Sequence, residues 1–243
     1  MNFAVMTSGG FRPNCWRTRM ALAIKQIEVE AASVGFTEIP GICDGTVKTV
    51  PTLETDGSVI VDSFEIARHL DKIHAANPLF RGEAAEAHCL LIQGWADTAV
   101  VAALASMIVV DVWSVLRPQD QDYFRKTREG RFGKTLEEFQ AGREGRVAGF
   151  NSMTLAPARR ALASAQWLGG EQADYADCIL FGTLMWPHVV SDFPVLEDGP
   201  LMDWFRRCLE LMSGEAEVKA LLAALSGSQQ ERTTLDLHDR RLI

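Results

Sequence analysis

The sequence has no C-x-x-C pair, no dense block of lysine and arginine, no internal repeat and no low-complexity tract. Each absence excludes something. Five widely spaced cysteines, Cys15, Cys43, Cys89, Cys178 and Cys208, make neither a disulfide framework nor a zinc site, and a reducing, cytoplasmic setting is expected. The five histidines are scattered without ligand-like spacing, so no metal is expected. A formal net charge of −8 without clustered cations argues against nucleic acid as a partner, because phosphate binding needs concentrated positive charge. The opening, MNFAVMTSGG, carries neither a basic segment nor a long apolar run, so no secretory leader is expected. The most apolar stretch, roughly 98–112, contains Ser106 and Asp111 and reads as a buried helix too short to span a bilayer.

What is present is the composition of a soluble globular protein, 47% hydrophobic and 23% charged over 243 residues, long enough for one large or two small domains. The first part alternates strand and helix signals. Phe3 to Met6 reads as a buried strand, ended by Gly9 and Gly10; Pro13 opens a helix from Cys15 to Lys25; Ile27 to Ala32 reads as a second strand. Residues 35–49 read as a loop with one short helix. Two further strands, 51–54 and 59–61, flank Asp56-Gly57, a strong hairpin signal. Ser63 is expected to cap a helix from Phe64 to His74. From residue 83 the strand signal disappears. Helical patterns cover 84–115, 119–126, 136–148, 154–165, 178–190 and 200–212, followed by a frayed tail after Ser213. The change divides the chain into an α/β domain, 1–77, and an all-α domain, 83–243, joined near 77–82.

Three places hold groups suited to a ligand. Pro51 opens a strand, where its missing N–H does no harm, and a trans Val50-Pro51 is the ordinary reading, since only about 5% of X-Pro bonds are cis. Asp62-Ser63 precedes a helix: the hydroxyl and the free helix N–H groups suit a carboxylate, and Asp62 suits an ammonium group, although an ordinary N-cap reads the same way. Phe11-Arg12-Pro13-Asn14-Cys15 opens the first helix, whose positive end favours a thiolate. Cys15 reads as packed against the sheet, Trp16 as core, and Arg17 and Arg19 as solvated or salt-bridged.

The order strand, helix with Trp16-Arg17-Thr18-Arg19-Met20-Ala21-Leu22, Val50-Pro51-Thr52-Leu53, hairpin, Asp62-Ser63, helix and all-α half resembles the cytosolic glutathione transferase superfamily. Asp174-Tyr175-Ala176-Asp177, opening an apolar helix like a capping box, agrees with that family's second domain. The resemblance implies a thioredoxin-like glutathione-binding domain followed by an all-α domain that shapes the second substrate's pocket. Glutathione is then the co-substrate, held by Lys48, Val50, a cis Pro51, Asp62 and Ser63. Asn14, Arg12 and Ser8 are the candidates beside its sulfur. Where many relatives place Ser or Cys before the helix-opening proline, this chain has Arg12, which either stabilises the thiolate as a cation or faces solvent. A homodimer and a hydrophobic aromatic second substrate are also implied, with Trp95, Met107, Trp113 and Trp186 as candidate pocket residues, only one or two of them in contact.

Within the superfamily, Cys15-Trp16-Arg17-Thr18, Pro118-Gln119-Asp120-Gln121-Asp122-Tyr123, Gln140-Ala141-Gly142-Arg143-Glu144 and Trp167-Leu168-Gly169-Gly170 resemble the bacterial glutathione-dependent β-etherases, which cleave β-aryl ethers. The Trp-Arg-Thr-Arg segment also resembles the zeta class of isomerases. The alternatives are a non-catalytic glutathione- or ligand-binding protein and a zeta-type isomerase.

Overall fold

The computed structural model describes residues 4–7, 12–55 and 58–212. Phe3, Ser8, Gly9, Gly10, the Asp56-Gly57 turn and the tail after Ser213 lie outside them. Four short strands, β1 (Ala4–Thr7), β2 (Glu30–Ser33), β3 (Thr52–Thr55) and β4 (Ser58–Val61), form one sheet in the order β2-β1-β3-β4. β2 runs parallel to β1, whereas β3 and β4 are antiparallel neighbours, with Thr52 opposite Val61 and Thr55 opposite Ser58. The helices are α1 (Pro13–Lys25), α2 (Ser63–Ile73), α3 (Ala85–Trp95), α4 (Val101–Val115), α5 (Pro118–Phe132), α6 (Leu136–Gln140), α7 (Glu144–Gly149), α8 (Ala156–Leu162), α9 (Tyr175–Val190) and α10 (Pro200–Met212). A 3-10 turn, Ile39–Gly45, fills the stretch between β2 and β3, and every described element from Ala85 onward is helical. This is the thioredoxin-like plus all-α architecture that the sequence implies.

Departures from the sequence reading have local causes. Gln26 adopts a left-handed conformation, φ +56°, and the Ile27 N–H donates back to Leu22 O at 3.1 Å, so β2 starts at Glu30 rather than Ile27. Asp62, not Ser63, caps α2: its Oδ1 accepts from the Phe64 and Glu65 N–H groups at 2.8 and 3.3 Å. The 84–115 pattern is one continuous helical run with a π-turn at Ala96–Val100 between α3 and α4. By length and composition this helix, Ala85–Val115, could cross a membrane, which corrects the expectation of too short a run. Its Leu104, Met107, Ile108, Val109 and Val112 are nonetheless buried in the protein core. The 136–148 pattern breaks at Gly142, φ +72°. α9 starts at Tyr175, three residues before Cys178, because Asp174 and Asp177 complete a capping box.

One apolar core spans both halves, from Trp16, Leu53 and Leu70 to Met107, Phe181 and Trp204. α1 lies on α9, where Gly182 admits it: a Cβ there would meet the Arg17 backbone nitrogen at 2.6 Å and Pro13 O at 2.8 Å. Arg17 is 1% exposed and donates from Nη2 to Asp97 Oδ1 at 2.6 Å and Thr183 Oγ1 at 3.0 Å. It is therefore a buried crosslink between the halves: of the two expectations for Arg17, the salt bridge holds and solvation does not. Lys25 is equally buried, paired with Asp71 and donating to His74 O and Ala76 O, which ties α1 to the end of α2.

Candidate functional site

Hairpin register brings the first two candidate places together. β3 begins just after Pro51 and β4 ends just before Asp62, and the Asp62 N–H donates to Pro51 O at 3.3 Å. The Val50-Pro51 bond is cis, as the resemblance implies. No acceptor among the described residues takes the Val50 N–H, while the Val50 side chain is buried with Cys15 and Ile39. That shared cluster sets the start of α1 beside the same strand end. Cys15 is fully buried there, packed against the 3-10 turn and Val50. Lys48 is exposed on the approach to Val50.

At the start of α2, Asp62 sits at φ +82°, a backbone conformation that strains a non-glycine residue and gathers at functional sites. Its cap uses Oδ1 for both N–H groups, so Oδ2 is left for a cation. The cap also occupies two of the helix N–H donors that an anion would use. Ser63 is buried, and its Oγ has no hydrogen-bond partner of good geometry among the described residues. The Tyr175 hydroxyl lies against it, yet neither oxygen completes a hydrogen bond of good geometry. Burial pushes the Tyr175 phenol well above its ordinary range, against a downward pull from Ser63 and Arg17. An orphaned buried hydroxyl is a group that a bound carboxylate can satisfy.

Arg12 is the N-cap residue of α1 in position but not in chemistry, since its side chain accepts nothing. Its side chain is half-buried. The guanidinium lies 4.5 Å over the Phe36 ring, with Nε buried and without a partner among the described residues. Burial lowers its pKa from the ordinary arginine value, while Cys15 and Tyr123 pull it up. Asn14, half-buried, lies in the first turn of α1, where backbone N–H groups have no partner inside the helix. Ser8 lies outside the described residues.

The four candidate pocket residues lie on α3, α4 and α9. Met107 is fully buried core. Trp113 lies under the Arg125 guanidinium at 4.5 Å, and Trp95 Nε1 donates to Thr154 O at 3.2 Å. Trp186 is half-buried, and its Nε1 has no partner among the described residues. A cavity of about 360 Å³ lies between α9 and α10, lined by Leu184, His188, Phe193, Met202, Phe205 and Leu209 among others; none of Arg12, Val50, Asp62 and Ser63 borders it.

The fold also assembles groups that sequence spacing does not reveal. Arg128 on α5 meets the same Phe36 ring as Arg12, a contact between residues far apart in the chain with no local signal. His88, Cys89 and Asp174 bring ligand-type atoms within 4.8 Å of one another. Burial there pushes the Cys89 thiol up to about 12, and Asp174 Oδ1 accepts from the Ala176 N–H at 2.8 Å. Burial likewise raises Cys178 and Cys208, so these three thiols are poor nucleophiles.

Comparison with known proteins points one way. A family model described as glutathione S-transferase, N-terminal domain, matches residues 11–73, and one described as glutathione S-transferase, C-terminal domain, matches residues 88–211. The chain is 33% identical over 192 residues to the glutathione S-transferase-like protein ustS of Aspergillus flavus, covering 73% of this chain and 63% of that protein. It is 35% identical over 77 residues to maleylacetoacetate isomerase of Dictyostelium discoideum, covering 28% of this chain and 35% of that one. The matches thus span less than two thirds of the length of these curated relatives. Among solved structures, glutathione transferase GSTFuA3 of Phanerochaete chrysosporium superposes with a TM-score of 0.75 at 24% identity, covering 87% of this chain and 97% of that chain. A glutathione S-transferase of Ceriporiopsis subvermispora in complex with glutathione gives 0.75 at 23% identity, covering 87% and 98%. At these identities the structures speak to the fold.

Proposed function

The chain belongs to the glutathione S-transferase family, and from that premise we propose that it binds glutathione where β3 meets the start of α2 and transfers it to an electrophilic aromatic substrate. The observation that carries this is the Asp62 N–H to Pro51 O contact. It joins Val50-Pro51 to Asp62-Ser63, and among the described residues the Val50 N–H, Asp62 Oδ2 and Ser63 Oγ make no hydrogen bond of good geometry. A peptide-like ligand with an ammonium group, a carboxylate and backbone amides has a complement for each. Lys48, exposed nearby, offers a further cation.

The protein's part in the reaction is to bring two reactants together and favour the thiolate, while glutathione supplies the nucleophile. The sulfur attacks an electrophilic carbon, a carbon–sulfur bond forms and the leaving group departs with the electron pair of its bond. In the β-etherase-like reading the leaving group is a phenolate. Support for that finer reading is the set of segments Cys15 to Thr18, Pro118 to Tyr123, Gln140 to Glu144 and Trp167 to Gly170. The 77-residue match to maleylacetoacetate isomerase favours the isomerase as a second reading. The two differ in product: phenol release from a β-aryl ether against isomerisation without any leaving group.

For the thiolate, Asn14 is the preferred donor, because the Arg12 guanidinium is directed onto Phe36. Titrating bound glutathione by thiolate absorbance is expected to give a raised sulfur pKa in Asn14→Ala and little change in Arg12→Ala. The reverse pattern makes Arg12 the activating residue, and no change in either favours a non-catalytic glutathione-binding protein. We further propose a cytoplasmic homodimer. Its support is the exposure of Leu90 and Leu91 on α3 and of Val59 on β4, apolar side chains that a partner surface would cover.

A further inference from the structure

We infer that Arg12 and Arg128, sharing the Phe36 ring beside Tyr123, form a cationic subsite for the carboxylate of an aromatic second substrate. Arg12 Cζ lies 4.5 Å from the Phe36 centroid and Arg128 Cζ 5.7 Å from it, with Arg128 also 4.5 Å over Phe124. Phe36 and Phe124 meet edge to face at 5.9 Å, so the two cations stand on one aromatic pair that joins the first half of the chain to α5. Contact with the rings holds both guanidinium groups in place before any ligand arrives.

The charge at this place is uncompensated. Arg17, Arg68, Arg117, Arg125 and Arg143 each pair with a carboxylate. Arg12 and Arg128 pair with none among the described residues; Arg128 donates only to the neighbouring Thr127 hydroxyl, at 2.8 Å, and Arg12 Nε is buried without an acceptor. Burial lowers the pKa of both guanidiniums, and the nearby Arg12 lowers Arg128 further. In a chain with 32 acidic residues against 24 basic ones, two neighbouring, half-buried cations without an acid among the described residues point to an anion supplied from outside. Guanidinium favours planar carboxylates. Tyr123, 48% exposed and close enough to raise both arginines, offers an exposed aryl ring nearby.

This inference rests on the proposed transferase reading only in calling the ligand a second substrate. Arg12 directly precedes Pro13 and Asn14, so the subsite borders the place proposed for the glutathione sulfur. The test is calorimetry on the full chain with benzoate and with benzamide, its neutral isostere, in the absence and presence of saturating glutathione. Wild type is expected to bind benzoate about tenfold or more tightly than benzamide, the size of one charge-assisted hydrogen bond. Arg128→Met should remove that preference while leaving glutathione affinity unchanged, and Arg128→Lys should restore part of it. Equal affinity for benzoate and benzamide in wild type overturns the inference, and that comparison needs no variant to fold. An Arg128→Met variant that loses glutathione as strongly as benzoate also overturns it, because the pair then serves glutathione's own carboxylate. Benzoate preference without glutathione binding would keep the subsite and sink the transferase reading; glutathione binding without benzoate preference would do the opposite.

Discussion

Asp177 ties three segments of the helical half together through one carboxylate. Oδ1 accepts from Leu168 N–H and Trp204 Nε1, both at 2.8 Å, and Oδ2 from Gly169 and Asp174 N–H groups, both at 3.0 Å. Asp177→Ala leaves those donors buried without an acceptor. A loss of about 3–5 kcal/mol is expected, measurable by urea denaturation, as for removing one side of a buried charged network. The capping role of Asp177 was legible in Asp174-x-x-Asp177; its hold on Trp204 and on the Trp167 to Gly170 turn was not, because those partners are set by tertiary packing. The same division holds at the ligand end. Asp62-Ser63 could be read as a helix start with spare polar groups, but which of them caps could not: adjacent residues are both good cap formers, and the backbone at Asp62 decided it. Arg12 posed the clearest gap. Its chain position is legible, whereas its contact with Phe36, and the meeting of that ring with Arg128 of α5 more than a hundred residues away, carry no local signal.

Among elements, the α1–α9 contact positions the site most directly, since the first turn of α1 carries Asn14. Gly182→Ala puts a methyl group within 2.6–2.8 Å of α1 backbone atoms, which cannot yield as a side chain tip can. About 1–3 kcal/mol of destabilisation is expected by thermal melting, with weaker glutathione binding as α1 is displaced. Farther from the site, α5 and α6 are joined by Arg125, which donates to both oxygens of Glu137 at 3.0 and 2.8 Å. This pairing lowers Glu137 to about 2. A carboxylate with a depressed folded pKa stabilises above its ordinary value near 4.5 and loses that contribution as pH falls toward about 2. Glu137 is exposed, so solvent screening keeps the effect under about 1 kcal/mol. Wild type should exceed Glu137→Gln in denaturation midpoint at pH 7 and low salt, with the gap closing as pH drops to 2–3. Helix existence was largely legible from periodicity. Helix joints were not: the π-turn at Ala96–Val100 keeps the 84–115 pattern continuous, and Gly142 breaks a pattern that reads unbroken.

For the whole molecule, the family and the two-part architecture follow from motifs spread along nearly the full chain, while the identity of the second substrate depends on which side chains from distant helices meet. Assembly belongs to this scale as well. Leu91 is 71% exposed and Leu90 50%, so Leu91→Glu should convert a dimer sedimenting at twice the chain mass into a monomer at equal concentration. A wild type that sediments as a concentration-independent monomer would dispose of the dimer. The central claim, glutathione held between Val50, Asp62 and Ser63, is tested most directly by calorimetric titration of glutathione into wild type and Ser63→Ala. The account predicts saturable one-site binding by wild type and at least several-fold weaker binding by Ser63→Ala, since a charge-assisted hydrogen bond contributes about 1.5–3 kcal/mol. Absence of binding in wild type, or unchanged affinity in Ser63→Ala, would contradict it.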